Sequence, residues 1–156
     1  MKEMMLRVLV MVLLLGVLSF QAWSPASADE MTCTHTPVTI DIKPGSYPNS
    51  INLSARGVVS VAVLTTGDFD ASQFTPEMAH LNDAATAMTD GCTGAMAQRW
   101  TRDDVNGDGQ PDLVFFFNTQ DLPLTASSTA ASLMAHGSYG STSLHIMGTD
   151  SVKVKP

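Results

Sequence analysis

The chain has 156 residues, with 15 acidic against 8 basic side chains and a formal net charge of −7. That length fits one domain around one hydrophobic core. The acidic balance argues against nucleic acid and anionic membranes as partners and is compatible with a divalent cation.

Residues 1–28 carry the marks of a secretory signal peptide. Lys2 and Arg7 give a charged start, 8–20 is an almost unbroken apolar run, and Ala26-Ser27-Ala28 supplies an A-x-A cleavage site. The run is shorter than the ~20 residues that cross a bilayer, so no stable membrane span is expected after cleavage. The expected destination is secreted, periplasmic or cell-surface. Residues 29–156 are then expected to form a single module. Losing Lys2, Arg7 and Glu3 takes the net charge from −7 to −8. Two cysteines remain, Cys33 and Cys92. An oxidising compartment permits a disulfide between them, two free thiols being the alternative.

Along 29–156 the periodicity is that of strands. Residues 38–43 alternate apolar and polar until Pro44-Gly45 stops them, and 46–52 is a turn-rich connector. In 58–64, Val59, Val61 and Val63 form one face, with small Ser60 and Ala62 on the other. Residues 69–81 hold one further short strand or turn. The Ala/Thr/Gly-rich stretch 82–96 reads as a surface excursion, with a short helix around 84–88 as the alternative. Residues 97–101 form a strand carrying Trp100, which is expected to anchor the core. Residues 113–117 (Leu-Val-Phe-Phe-Phe) are apolar on both faces, as a central strand is. Residues 130–135 and 143–154 give two or three more strands, separated by Gly137-Ser138-Tyr139-Gly140. About six to eight strands with intervening turns predict an all-β, immunoglobulin-like antiparallel sandwich.

The strongest chemical signal is Asp104-Val105-Asn106-Gly107-Asp108-Gly109-Gln110-Pro111-Asp112. Oxygen-bearing side chains recur at every second position, and a glycine follows the third. Ca²⁺ takes six to eight oxygen ligands, and a short loop supplies that many only by curling around the ion. The spacing assigns side-chain oxygens to Asp104, Asn106, Asp108 and Asp112 and the backbone carbonyl to Gln110. A helical EF-hand is excluded, because its closing Glu position holds Phe115, Pro111 removes an amide, and strand formers flank the loop. Mg²⁺, which keeps several waters, fits less well. An acidic turn that binds nothing is the plain alternative.

The Asp-x-Asn-x-Asp-Gly-x-x-Asp pattern is similar to the calcium hairpin loops of FG-GAP type in integrin-like propeller blades. A wider order also resembles a known module: Ile40-Asp41-Ile42-Lys43-Pro44-Gly45-Ser46-Tyr47-Pro48-Asn49-Ser50-Ile51-Asn52, then 57–64, Trp100, Asp104 to Gly109, Asp112-Leu113-Val114 and Gly148 to Val152. It resembles a β-module of secreted bacterial proteins. That resemblance implies an extracytoplasmic β-domain with a calcium loop; it implies no activity and gives the Cys33–Cys92 pairing no support.

No catalytic constellation is found: there is no Gly-x-Ser-x-Gly elbow and no Cys/His arrangement. His35, His80, His136 and His145 lack zinc-ligand spacing, although His136 and His145 stand where paired terminal strands would bring them together. Asn49 and Asn52 read as turn formers and Asp41 with Lys43 as a solvated pair. The expected function is a secreted calcium-binding, non-catalytic module for extracellular interaction or adhesion, its partner an extracellular protein or glycan. A spacer stabilised by calcium is the second reading and a secreted hydrolase the third.

Overall fold

The structure, a computed structural model, describes residues 34–90 and 93–156. The expected leader and both cysteines of the expected Cys33–Cys92 bridge lie outside the described residues. The described residues belong to one unit, Thr32–Pro156, and are mostly β. In chain order come β1 (Thr36–Pro37), β2 (Ile40–Ile42), β3 (Ser50–Asn52), β4 (Val58–Val63), β5 (Phe74–Asp83), helix α1 (Ala84–Asp90), β6 (Ala95–Met96), β7 (Arg99–Asp103), β8 (Asp112–Asn118), β9 (Ala130–Tyr139), β10 (Thr142–Ser151) and β11 (Lys153–Lys155). Six of these strands have five residues or more.

Two sheets share one core, as in a β-sandwich. One runs β2-β4-β8-β7 and the other β1-β10-β9-β5-β6, while β11 and β3 form a small third pair. The pairings are antiparallel except β1 with β10 and β11 with β3, which are parallel. The first sheet follows its alternation. Val59, Val61 and Val63 of β4 stand opposite Phe117, Phe115 and Leu113 of β8. All six are buried in one cluster with Leu81, Leu133, Ala135 and Ile146 of the second sheet. Burying a Phe or Val side chain contributes about 1.5–3 kcal/mol, so this shared face is the main source of stability. The central position of β8 explains why its outward residues are also apolar. Val114 is buried beside Ala62, and Phe116 lies under the Arg99 guanidinium, 3.7 Å from its ring centre.

Four local expectations need correction. The longest strands include β5, where only a short strand or turn was expected. Pro76 sits inside it because the register slips between Pro76 and Met78, and a bulge accommodates the missing amide. The 82–96 stretch is not an excursion. It closes β5, forms α1 and returns as β6, and the Asp83 carboxylate accepts the Ala85 amide at 2.9 Å to start the helix. Gly137 does not end a strand. β9 runs through it to Tyr139, because a side chain there would come within 2.2 Å of the Thr75 carbonyl oxygen. Finally, Trp100 is not a core anchor. It pairs with Phe115 on the inward side, but β7 is the sheet's edge and Trp100 stays 40% exposed. Among the described residues no helix is long and apolar enough to cross a membrane.

Candidate metal centre

β7 and β8 pair from Arg99–Phe116 to Asp103–Asp112, so residues 104–111 are the tip of one β-hairpin. Aspartate and asparagine bend a chain by accepting amides a few residues ahead, and here they do so in series. The Asp104 carboxylate accepts the amides of Gly107 at 2.8 Å, Asp108 at 3.1 Å and Gly109 at 2.9 Å. Asn106 Oδ1 accepts Asp108 N at 2.9 Å, and Asp108 Oδ1 accepts Gln110 N at 2.8 Å. Asn106 Nδ2 donates to Asp108 Oδ2 at 3.0 Å. Gly107 and Gly109 take φ of +78° and +84°, a region that only glycine visits at no cost. The loop therefore winds around Asp104, and its donors are all oxygens of the hard type that Ca²⁺ takes. Asp104 Oδ1 accepts two of these amides and Oδ2 one, so Oδ2, with a second lone pair, keeps capacity for an ion.

Asp112 behaves differently. It is fully buried, its Oδ1 accepts the amide of Thr65 at 2.8 Å and its Oδ2 that of Val105 at 3.1 Å. Thr65 in turn donates its hydroxyl to the Pro111 carbonyl at 2.7 Å. Asp112 thus pins the hairpin base to the chain that leaves β4. The structure brings Asp104, Asn106 and Asp108 together through their ladder and gives Asp112 this second task. Among the described residues, no group of three or more His, Cys, Asp or Glu side chains is placed to hold a metal ion. The tip nevertheless presents a mixed oxygen set, with Asn106 Oδ1 beside the Asp104 and Asp108 carboxylates, of the kind that hard cations take.

Beside this hairpin, at the open edge between the sheets, lies a cleft of about 350 Å³ that includes Trp100, Arg99, Met78 and Phe115. Arg102, two residues on from Trp100, donates to the Phe74 carbonyl at 3.0 Å and lies 5.0 Å from the Trp100 ring centre. Met78 and Trp100 in the cleft lining are exposed.

A third feature escaped sequence reasoning in part. The β9–β10 hairpin pairs His136 with His145 and Met134 with Met147; β5 places Met78 opposite His136 and His80 opposite Met134. His35, just before β1, has its ring centre 6.0 Å from that of His145. All four histidines of the chain therefore lie on the outer side of one sheet. The signal was present for one pair only: His136 and His145 stand at equal distances from the Gly140-Ser141 turn. Asn49, read as a turn former, is instead buried, and its amide donates to Asp150 Oδ2 at 2.8 Å. Asp41 is held above the ordinary carboxylate range, first by partial burial and then by the nearby Asp150 charge.

Compared with protein-family models, curated proteins and solved structures, the chain matches none.

Proposed function

We propose that the protein is an exported, non-catalytic β-sandwich module of immunoglobulin-like type. Its 104–112 hairpin binds one Ca²⁺, and it serves extracellular interaction or adhesion. The observation that carries this reading is the Asp104 carboxylate collecting three amides, from Gly107, Asp108 and Gly109. That arrangement winds an oxygen-lined loop around one point, in advance of any ion. Asp104, Asn106 and Asp108 supply side-chain oxygens, Gln110 its carbonyl, and Asp112 closes the loop while holding Thr65. Ca²⁺ offsets the repulsion among the Asp104 and Asp108 carboxylates at the tip and the Asp112 carboxylate at its base, and so stabilises the folded state. The tip and the cleft residues Arg99 and Trp100 belong to the same β7–β8 hairpin, so an ordered loop steadies the strand that presents that edge to a glycan or protein surface. An aromatic face beside guanidinium groups suits both.

Melting curves in excess EGTA and in excess Ca²⁺ test the metal. Calcium at a hundred times its Kd adds about 2.7 kcal/mol, a rise of several degrees in Tm for a chain of this size. Asp108→Ala is expected to fold and to lose that rise. A wild-type Tm unmoved by chelator overturns the calcium assignment. Binding of wild type to a glycan and envelope-protein array in calcium, lost in EGTA, is the expected readout of recognition; no saturable binding leaves calcium a purely stabilising role.

A further inference from the structure

The outer face of the five-stranded sheet carries a second donor cluster, unrelated in residue type to the oxygen loop. Its centre is an open cavity of about 280 Å³ lined by Met78, His80, Met134, Ala135, His136 and His145. Five of these six residues carry an imidazole or a thioether, and none is Leu, Ile, Val or Phe. We propose that this face binds one copper ion in its +1 state, held by His136 and His145 and completed by the Met78 thioether.

The geometry suits two imidazoles on one ion. A ligating imidazole nitrogen lies about 2.0–2.1 Å from its metal, which puts the ring centre about 3 Å away and two such rings about 4.5–6 Å apart. The His136 and His145 ring centres are 4.5 Å apart, with the planes inclined at 43°. His145 Nδ1 is buried with no hydrogen-bond partner. A buried polar atom left unpaired costs about 1–3 kcal/mol, and an ion on that nitrogen removes the cost. Burial, then the neighbouring His136 and His35, hold the His145 imidazole below its ordinary range.

His136 has the companion that ligating histidines have. Its Nδ1 lies 3.2 Å from the Glu77 carboxylate. A carboxylate there fixes the tautomer and turns Nε2 outward as the donor atom. That Nε2 now shares a hydrogen bond of 3.1 Å with the Ser143 hydroxyl, a partner that turns away by rotation about one bond.

Donor softness selects the ion. Thioethers select Cu⁺ over the harder cations, which take carboxylates, carbonyls and water. Zn²⁺ asks for four imidazole, thiolate or carboxylate ligands, and among the described residues no group of three or more His, Cys, Asp or Glu side chains is placed to hold a metal ion. Met78 stands directly across from His136 and is 47% exposed, so its flexible chain can bring sulfur to the ion without disturbing the core. Buried Met134 forms the floor.

Anaerobic competition of the reduced full chain against bicinchoninate reads Cu⁺ retention directly. Wild type is expected to hold one equivalent more than the His136→Gln/His145→Gln double variant. Met78→Leu, at an exposed position that leaves the core intact, and Glu77→Gln are each expected to weaken that equivalent about tenfold or more. Cys33 and Cys92 are present in every variant, so any copper they take cancels in the comparison. Equal retention by wild type and the double variant overturns the proposal, as does Zn²⁺ displacing Cu⁺ from the wild-type site. A melting curve of Met78→Leu that matches wild type without metal assigns its weaker retention to the lost sulfur.

Discussion

Asp104 and Asp112 open and close the same nine-residue run, yet the fold uses their carboxylates in opposite ways. Asp104 is exposed and bends its own loop by accepting amides three to five residues ahead. Asp112 is fully buried and accepts an amide from Thr65, 47 residues away. Hydrogen bonds to charged groups contribute about 1.5–3 kcal/mol each. In Asp112→Asn one carboxylate oxygen becomes an NH₂ group facing a backbone N–H, so one of the two amides loses its acceptor. The expected cost is about 2 kcal/mol, read as a lower urea midpoint at unchanged slope. It is expected in EGTA as well as in Ca²⁺, whereas the effect of Asp108→Ala is expected only in Ca²⁺. Equal stability of Asp112→Asn and wild type in EGTA refutes the tether. The spacing of Asp104, Asn106 and Asp108 was legible because such turns are local. The partner of Asp112 was not, since nothing in nine residues points to Thr65.

At the scale of elements, strand interiors read well where one face is apolar and the other small. The run expected at 58–64 forms Val58–Val63 with that pattern, and the run expected at 113–117, apolar on both faces, forms Asp112–Asn118. Residues that normally break strands misled the reading of β5 and β9. Pro76 and Gly137 stand opposite each other, and each explains its partner. The Thr75 carbonyl, the Phe74 ring and the Pro76 Cα crowd the position where a Cβ on residue 137 would lie, so only glycine lets β9 pass. Gly137→Ala therefore forces two central backbones apart and is expected to lower stability by about 1–3 kcal/mol. Thermal melting checks this; a gain in Tm, as ordinary Gly→Ala changes in strands give, contradicts the crowding. Helix α1 lost to the excursion reading because Ala and Thr at 84–87 carry no clear period. Asp83 decided the matter: its carboxylate accepts the amide of Ala85 and the hydroxyl of Ser128, and Ser128 is distant in sequence.

Across the whole molecule, the two large sheets are joined by more than apolar contact. Asp150 belongs to β10, yet its Oδ2 accepts the amide of Ile42 in β2 at 2.9 Å and the side-chain amide of Asn49 at 2.8 Å. Asn49 also donates to the Ser151 carbonyl at 3.0 Å, and its own carbonyl accepts the Lys153 amide at 3.0 Å. This latch ties the first sheet to the last strands of the chain. Asp150→Ala is expected to cost about 3 kcal/mol from two lost charge-assisted bonds. Combined with Asn49→Ala, it is expected to cost less than the sum, with a coupling of about 0.5–3 kcal/mol. Strict additivity in the double-mutant cycle would show that the two residues act separately.

The sequence by itself determined the strand-rich class, the valine and phenylalanine face that becomes the core, and the oxygen spacing of the hairpin tip. All three depend on residues close together in the chain, through alternation along a strand or amides a few positions ahead. Only the tertiary structure decided which residues meet across distance. Asp112 reaches Thr65, Asn49 reaches Asp150, and all four histidines come to one side of a sheet. It also decided that Trp100, placed on an uncovered edge, stays partly exposed instead of anchoring the core. Pairing register and sheet order set those meetings, and neither is written in any short stretch of the chain.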